Sequence, residues 1–156
     1  MIKNKTLIIG QGLDNIKFGI TDKELINIMG NPDEREEDSE EGFETLTLYY
    51  DNPSIDFSFD MDESENKLIL TCISLSDPDF NLENKITLGM TIEEVKNQMK
   101  ALKAEDPEYS TDDIEPETEI LNYENESLIL WFEKGMLSTI QAGLLWMDDE
   151  TPVLPE

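Results

Sequence analysis

The chain has 156 residues, of which 37 are Asp or Glu, 11 are Lys or Arg and none is His, so its formal charge is −26. Such a chain repels nucleic-acid phosphates and anionic lipid headgroups, because binding them requires Lys and Arg to replace released counterions. Without His it has no Ser-His or Cys-His pair and no His-ligated zinc site, and we predict neither a nucleic-acid nor a membrane partner.

The first fifteen residues, MIKNKTLIIGQGLDN, have a basic start but an apolar run of only three residues. That run is shorter than the apolar core of a signal peptide, and a single cysteine, Cys72, is typical of a reducing compartment. We therefore expect a cytoplasmic protein. Gly10 and Gly12 lack the third glycine of a dinucleotide-binding fingerprint, so we predict a turn there and no nucleotide cofactor.

Two segments of the chain are similar to one another. IKFGITDKELINIM begins at Ile16 and ITLGMTIEEVKNQM begins 70 residues later, at Ile86. In each, a Thr followed three residues later by Glu forms a capping box and predicts a helix start, and apolar residues at three-to-four spacing predict a core-facing stripe. The alternative is two unrelated amphipathic helices that share a cap.

After each helix an acidic stretch precedes alternating apolar and polar residues, as in residues 45–50 and 54–59, which predict strands with one buried face. The predicted fold is α+β, with two tandem repeats, each a helix followed by a three-stranded antiparallel meander, and we expect the sheets of the two units to be continuous or adjacent. We assign residues 1–76 to a first unit with an N-terminal strand, 77–85 to a junction, 86–142 to a second unit and 143–156 to a C-terminal tail.

The order Ile-x-x-Gly-Met-Thr-x-x-x-Val, then Gly-x-Pro, then a Tyr before an alternating strand resembles two related families over residues 16–142. One is the β-lactamase-inhibitory protein, a tandem duplication whose concave sheet grips its target enzyme. The other is the small lipoprotein domain of the outer-membrane barrel-assembly machinery. The opening from Gly10 to Thr21 is also similar to small intracellular bacterial proteins, some of them toxin-immunity proteins. These resemblances imply a protein that works by binding another protein.

Two acidic stretches, residues 33–44 and 105–119, hold eight carboxylates each. As loops they would produce a negative field that speeds association with a basic protein; the alternative is that they only keep the protein soluble. In the second unit the outer sheet face carries Ile129 and Trp131, with Ile120 and Leu137 expected beside them. An apolar face needs a cover, which can be residues 144–147, the other unit or a partner anchored by aromatic residues.

The predicted partner-binding residues follow from these two features. They are Asp33, Glu34, Glu36, Glu37, Asp38, Glu40, Glu41, Tyr49, Asp112, Asp113, Glu115, Glu117, Ile129 and Trp131.

No motif predicts catalysis or a metal. Residues 60–66 place oxygens at alternate positions, as a calcium loop does, but Glu65 replaces the glycine of the sharp turn, so we predict a solvated hairpin, with weak calcium binding as the alternative. Cys72 lies in an apolar strand and is predicted to be a core residue.

The predicted function is therefore non-catalytic: an acidic protein that binds and neutralises a basic partner such as a toxin or nuclease, in the manner of an immunity protein or inhibitor. The alternatives are an assembly module that binds a cellular protein without inhibiting it and, third, a carboxylate enzyme.

Overall fold

The protein is mostly β, with 49% strand and 15% helix, in a computed structural model that describes residues 2–40, 43–62, 64–146 and 152–154. Its elements in chain order are β1 (Thr6–Ile8), β2 (Gly12–Leu13), β3 (Ile16–Lys17), α1 (Asp22–Met29), β4 (Glu34–Glu40), β5 (Phe43–Asp51), β6 (Ser54–Asp62), β7 (Lys67–Leu75), β8 (Asn81–Leu82), β9 (Ile86–Thr87), α2 (Ile92–Ala101), β10 (Glu108–Thr111), β11 (Glu119–Tyr123), a 3₁₀ turn (Glu124–Glu126), β12 (Leu128–Glu133), β13 (Met136–Gly143), β14 (Leu145–Trp146) and β15 (Pro152–Val153).

The predicted α+β fold of two repeats, each a helix with a three-stranded meander, is wrong. β7 pairs with β13, and eight of the described strands form one antiparallel sheet in the order β10-β11-β12-β13-β7-β6-β5-β4, while β14 and β15 pair separately. A second sheet has the order β3-β2-β1-β8-β9. The prediction failed at the two edges of the large sheet, because the acidic stretches expected to be loops contain β4 and β10. Asp and Glu have low strand propensity, which pairing with a neighbouring strand overrides here.

Both capping boxes are confirmed. The Thr21 hydroxyl accepts a hydrogen bond from the Glu24 amide at 3.2 Å, and the Thr91 hydroxyl accepts one from the Glu94 amide at 3.3 Å. Each Glu carboxylate in turn accepts a hydrogen bond from the Thr amide, so orphan donors at both helix starts are satisfied. The capping boxes thus fix where α1 and α2 begin, and with that the face that each helix buries.

The core lies between one face of the large sheet and the layer formed by the helices and the small sheet. Leu48, Phe57 and Ile73 are direct neighbours on β5, β6 and β7 and are fully buried. They belong to the same apolar cluster as Leu25 of α1 and Val95 of α2. Because side chains alternate along a strand, the opposite face of the large sheet carries the remaining, mostly polar residues; we call it the open face.

The described part of the C-terminal tail packs near the small sheet. A Cβ atom at Gly10 would lie 2.6 Å from the Leu145 side chain, and one at Gly19 would lie 2.9 Å from that of Leu154. Met147, one of the residues expected to cover the open face, lies outside the described residues.

The predicted turn at Gly10 is confirmed, since the Gln11 amide donates to the Ile8 carbonyl at 3.0 Å. The predicted junction at residues 77–85 contains β8.

Candidate functional site

The open face is continuous from one edge of the large sheet to the other. Adjacent strands lie about 4.8 Å apart, so Tyr49 on β5 and Ile129 on β12, four strands apart, are about 19 Å apart along the sheet. Both belong to one row of directly paired residues, and neither of the two residues at the ends of that row is Lys or Arg. That row of directly paired residues crosses all eight strands: Glu34, Tyr49, Asp56, Ser74, Gln141, Ile129, Asn122 and Glu108.

One end of the open face is acidic. Glu34, Glu36 and Asp38 alternate along β4 on this face, and all three are exposed. The Tyr49 hydroxyl donates to the Glu36 carboxylate at 2.8 Å, and this hydrogen bond, followed by burial, raises the pKa of Tyr49. The hydrogen bond holds the half-buried ring of Tyr49 beside the carboxylates, as an aromatic partner contact would require.

The other predicted residues of this stretch lie elsewhere. Glu37 accepts a hydrogen bond at 2.9 Å from Arg35, which also lies 4.0 Å from Asp22 of α1; the two residues pair with buried positions of β5 and so lie on the helix side of the sheet. Asp33 accepts a hydrogen bond from the Asp51 amide at 2.8 Å, which is a structural contact. Glu40 ends β4, and Glu41 lies outside the described residues.

Asp56 lies next to Tyr49 in the row and is half-buried. Burial, followed by repulsion from Asp51, raises the pKa of the Asp56 carboxyl above its usual value. Its charge is therefore unfavourable in the free protein. A cation placed against the open face would lower that pKa and stabilise the carboxylate.

The far half of the open face is more apolar. Trp131 pairs with Ile120 across β12 and β11, and both side chains are half-buried, as is that of Ile129. Leu137, expected beside them, is instead buried on the helix side, where its amide donates to the Met90 carbonyl at 2.8 Å. The predicted anchors Ile129 and Trp131 therefore share one surface with Tyr49.

The second acidic stretch is far from the first. β10 and β4 are the two edges of the sheet, about 34 Å apart along it at 4.8 Å per strand. Asp112 accepts hydrogen bonds from the Ile114 and Glu115 amides at 2.8 and 3.0 Å. The Glu115 bond, then the Ile114 bond, lowers the pKa of Asp112. Asp112 thus shapes the turn before β11, and the exposed residues of this turn include Asp113, Ile114, Glu115 and Glu117.

Two exposed apolar residues were not predicted as site residues. Ile114 is 90% exposed and Tyr109 is 57% exposed. The Tyr109 hydroxyl donates to the Glu119 carboxylate at 2.8 Å. Ile114 carried a usable sequence signal, because it is an isolated apolar residue within an acidic segment, whereas the exposure of Tyr109 depends on β10 being an edge strand.

A cleft of about 250 Å³ opens within the open face. Cys72 of β7 lines it, and the Cys72 thiol forms hydrogen bonds with the side chains of Ser74 and Gln141. Burial raises the pKa of the Cys72 thiol to about 11, although the two hydrogen bonds lower it. The thiol is therefore protonated at neutral pH and is a poor nucleophile.

We expect Cys72 of the native protein to react with iodoacetamide at pH 8 about 100-fold more slowly than in the unfolded chain, because a pKa two units higher lowers the thiolate fraction by that factor. The native rate should rise about tenfold per pH unit between pH 8 and 10. Alkylation followed by mass spectrometry, with and without urea, measures both. Equal rates in the two states would contradict the buried placement of this thiol.

The described residues bear on three predictions from the sequence, on metal binding, the hairpin at 60–66 and membrane spans. Within the described ranges, no group of three or more Cys, Asp or Glu side chains is placed to hold a metal ion. In the predicted hairpin at 60–66 the Ser64 hydroxyl and amide donate to Asp62 at 2.6 and 3.1 Å, while Glu63 lies outside the described residues. None of the helices in the part that the structure describes is long and apolar enough to span a bilayer.

No protein-family model, curated protein or solved structure matches this chain. The resemblance to the β-lactamase-inhibitory protein and to the barrel-assembly lipoprotein domain therefore stays a prediction.

Proposed function

We propose that this protein is a non-catalytic inhibitor or immunity protein that binds a basic partner protein through the open face of its large sheet and neutralises it. The observation that supports this proposal is the unbroken row across eight strands. That row puts the carboxylates of β4, the ring of Tyr49 and the apolar residues of β12 on one surface.

The acidic end of the open face provides the electrostatic part of recognition. With a formal charge of −26 and carboxylates that alternate along β4, the protein presents a negative field that speeds encounter with a positive surface. The raised pKa of Asp56 supports a cationic partner, because a positive charge beside this half-buried carboxylate would relieve the cost of its ionisation.

The apolar end provides the contact area. Half-buried Trp131, Ile129 and Ile120 offer apolar surface that a partner can remove from water, and large aromatic residues dominate the energetics of protein interfaces. Tyr49 offers a second aromatic contact about 19 Å away. This spacing fits within an interface of standard size, which buries about 800 Å² on each partner.

The test is capture of partners on the immobilised protein at low and then high salt, followed by assay of the captured protein's own activity in the complex. We expect Tyr49→Ala and Trp131→Ala each to weaken binding about 30-fold, the effect typical of a hot-spot aromatic residue. Tyr109→Ala is the matched control, because Tyr109 is exposed but lies outside the open face, and it should leave affinity within about twofold.

The outcomes separate the alternatives. A partner that loses its activity in a complex dependent on Tyr49 and Trp131 supports the inhibitor. A partner that keeps its activity in such a complex identifies an assembly module instead. Binding that Tyr109→Ala weakens as much as Trp131→Ala would contradict the assignment of the open face.

A further inference from the structure

The cleft in the open face lies near the centre of the sheet. It is formed where β7, β13, β12 and β11 lie side by side, and the pair Ser74 and Gln141, at its margin, joins the two halves of the sheet. The residues that line it include Cys72, Asn122, Glu124, Ser127, Ile129 and Gln141. Residues that dominate binding energy cluster near the centre of an interface, so this cleft is where a partner bound to the open face would place its main anchor.

The inner side of the cleft is built from small residues. Gly143, which also lines it, lies directly opposite Cys72 across β13 and β7. A Cβ atom at Gly143 would lie 2.6 Å from the Ser127 hydroxyl. The glycine therefore leaves room for Ser127, which also lines the cleft, to approach β13 closely.

The lining residues offer acceptors and one apolar wall. Glu124 is exposed and contributes a carboxylate, Asn122 and Gln141 contribute amide oxygens, and Ile129 contributes the wall. Among the described residues none that lines the cleft is Lys or Arg. At about 250 Å³ the cleft is below the range of about 300 to 1,000 Å³ that holds drug-sized ligands, and its size suits a single inserted side chain.

We propose that the cleft receives an arginine side chain of the partner protein, a proposal that rests on the proposed function. The aliphatic stem of the arginine packs along Ile129, as long cationic side chains do on apolar surface. The planar guanidinium presents five donors, which suit a carboxylate flanked by amide oxygens better than the point charge of a lysine does. It donates to Glu124 and to the amide oxygens of Asn122 and Gln141.

A second copy of this chain is not the occupant. The chain contains one arginine, Arg35, which pairs with Glu37 on the helix side of the sheet. Two copies of charge −26 would also repel one another across a shared face. The charge of the cleft and of the whole molecule is complementary to a basic protein instead.

The test uses two peptides of equal size and the intact protein. Acetyl-Gly-Arg-Gly-amide is titrated against isotope-labelled protein while NMR follows the Ile129 methyl groups and the side-chain amides of Asn122 and Gln141. The matched peptide carries citrulline, which has the shape of arginine without its charge. We expect the arginine peptide to shift these resonances at millimolar concentration and the citrulline peptide to leave them in place.

Two protein variants localise the effect. Glu124→Gln removes the carboxylate and should raise the dissociation constant of the arginine peptide about tenfold, since a charge-assisted hydrogen bond becomes a neutral one. Glu126→Gln is the matched control: it lies in the same 3₁₀ turn and removes the same net charge, but Glu126 does not line the cleft. It should change the dissociation constant by less than about twofold.

Changes in chemical shift confined to residues of β4, with the Ile129 methyl resonances unmoved, would overturn the proposal. Equal affinity of the arginine peptide for the Glu124→Gln and Glu126→Gln variants would also overturn it. These results are distinct from a failure of the proposed function. If the peptide misses the cleft while partner binding still depends on Tyr49 and Trp131, only the arginine assignment falls. If the peptide occupies the cleft but Tyr49→Ala and Trp131→Ala leave partner binding unchanged, the proposed function falls.

Discussion

Phe57→Ala is expected to lower the free energy of unfolding by about 3 to 5 kcal/mol, the usual cost of deleting a buried Phe side chain. Phe57 is fully buried between Leu48 and Ile73. Its ring also meets that of Tyr50 edge to face, with centroids 5.7 Å apart and planes at 84°. Total stabilities of about 5 to 15 kcal/mol are typical of proteins, so this one substitution removes a large part of the total.

Urea denaturation followed by circular dichroism measures this loss. Ser58→Ala is the matched control, because Ser58 is the next residue on β6 but lies on the open face, where its hydroxyl is 3.3 Å from that of Thr47. It should cost no more than about 1 kcal/mol. If Phe57→Ala unfolds the chain outright, Phe57→Leu, which keeps most of the volume, provides a measurable intermediate. Equal losses for Phe57→Ala and Ser58→Ala would contradict the placement of the two faces.

Reversing the three open-face carboxylates of β4, with Glu34, Glu36 and Asp38 all changed to Lys, is expected to slow association with the basic partner at least tenfold at low salt. The dissociation rate should change less, because exposed charges act mainly during encounter. Stopped-flow mixing or surface plasmon resonance over a series of salt concentrations measures both rates.

The second acidic segment supplies the control for this variant. Changing Asp113, Glu115 and Glu117 to Lys alters the net charge by the same six units but acts about 34 Å away along the sheet. The Debye length is about 10 Å at 0.1 M salt, so at that salt concentration the two sites act separately and the control should have the smaller effect. Equal slowing by both variants would show that net charge, and not the field of the open face, controls association.

Local features of the fold were predictable because their causes are local. The capping pair of Thr21 and Glu24 forms within four residues, and the alternation in residues 45–50 and 54–59 corresponds to β5 and β6. β4 was missed since an acidic run has no apolar period and becomes a strand only through pairing with β5. The pairing of β7 with β13 joins residues more than 60 positions apart, such as Ser74 and Gln141, and nothing in either strand indicates its neighbour.

The candidate site was predictable to a similar degree. Tyr49, Ile129 and Trp131 were identified from alternation, which predicts the face of a strand. The cleft was not, because it brings Cys72 together with Asn122 and Gln141 from three strands whose order only the complete sheet defines. A count of charges also does not distinguish a carboxylate that faces solvent from one bound to Arg35, as Glu37 is, or to turn amides, as Asp112 is.

The acidic edges of the large sheet also bear on aggregation. An open sheet exposes unpaired amide and carbonyl groups along both edge strands, and these groups are templates for edge-to-edge pairing between molecules. In this protein β4 carries five carboxylates and the short β10 carries Glu108, so two molecules that approach through their β4 edges meet like charges. The carboxylates of β4 that we propose attract a basic partner therefore also oppose edge-to-edge pairing between molecules. Removing their charges would make aggregation through this edge more favourable.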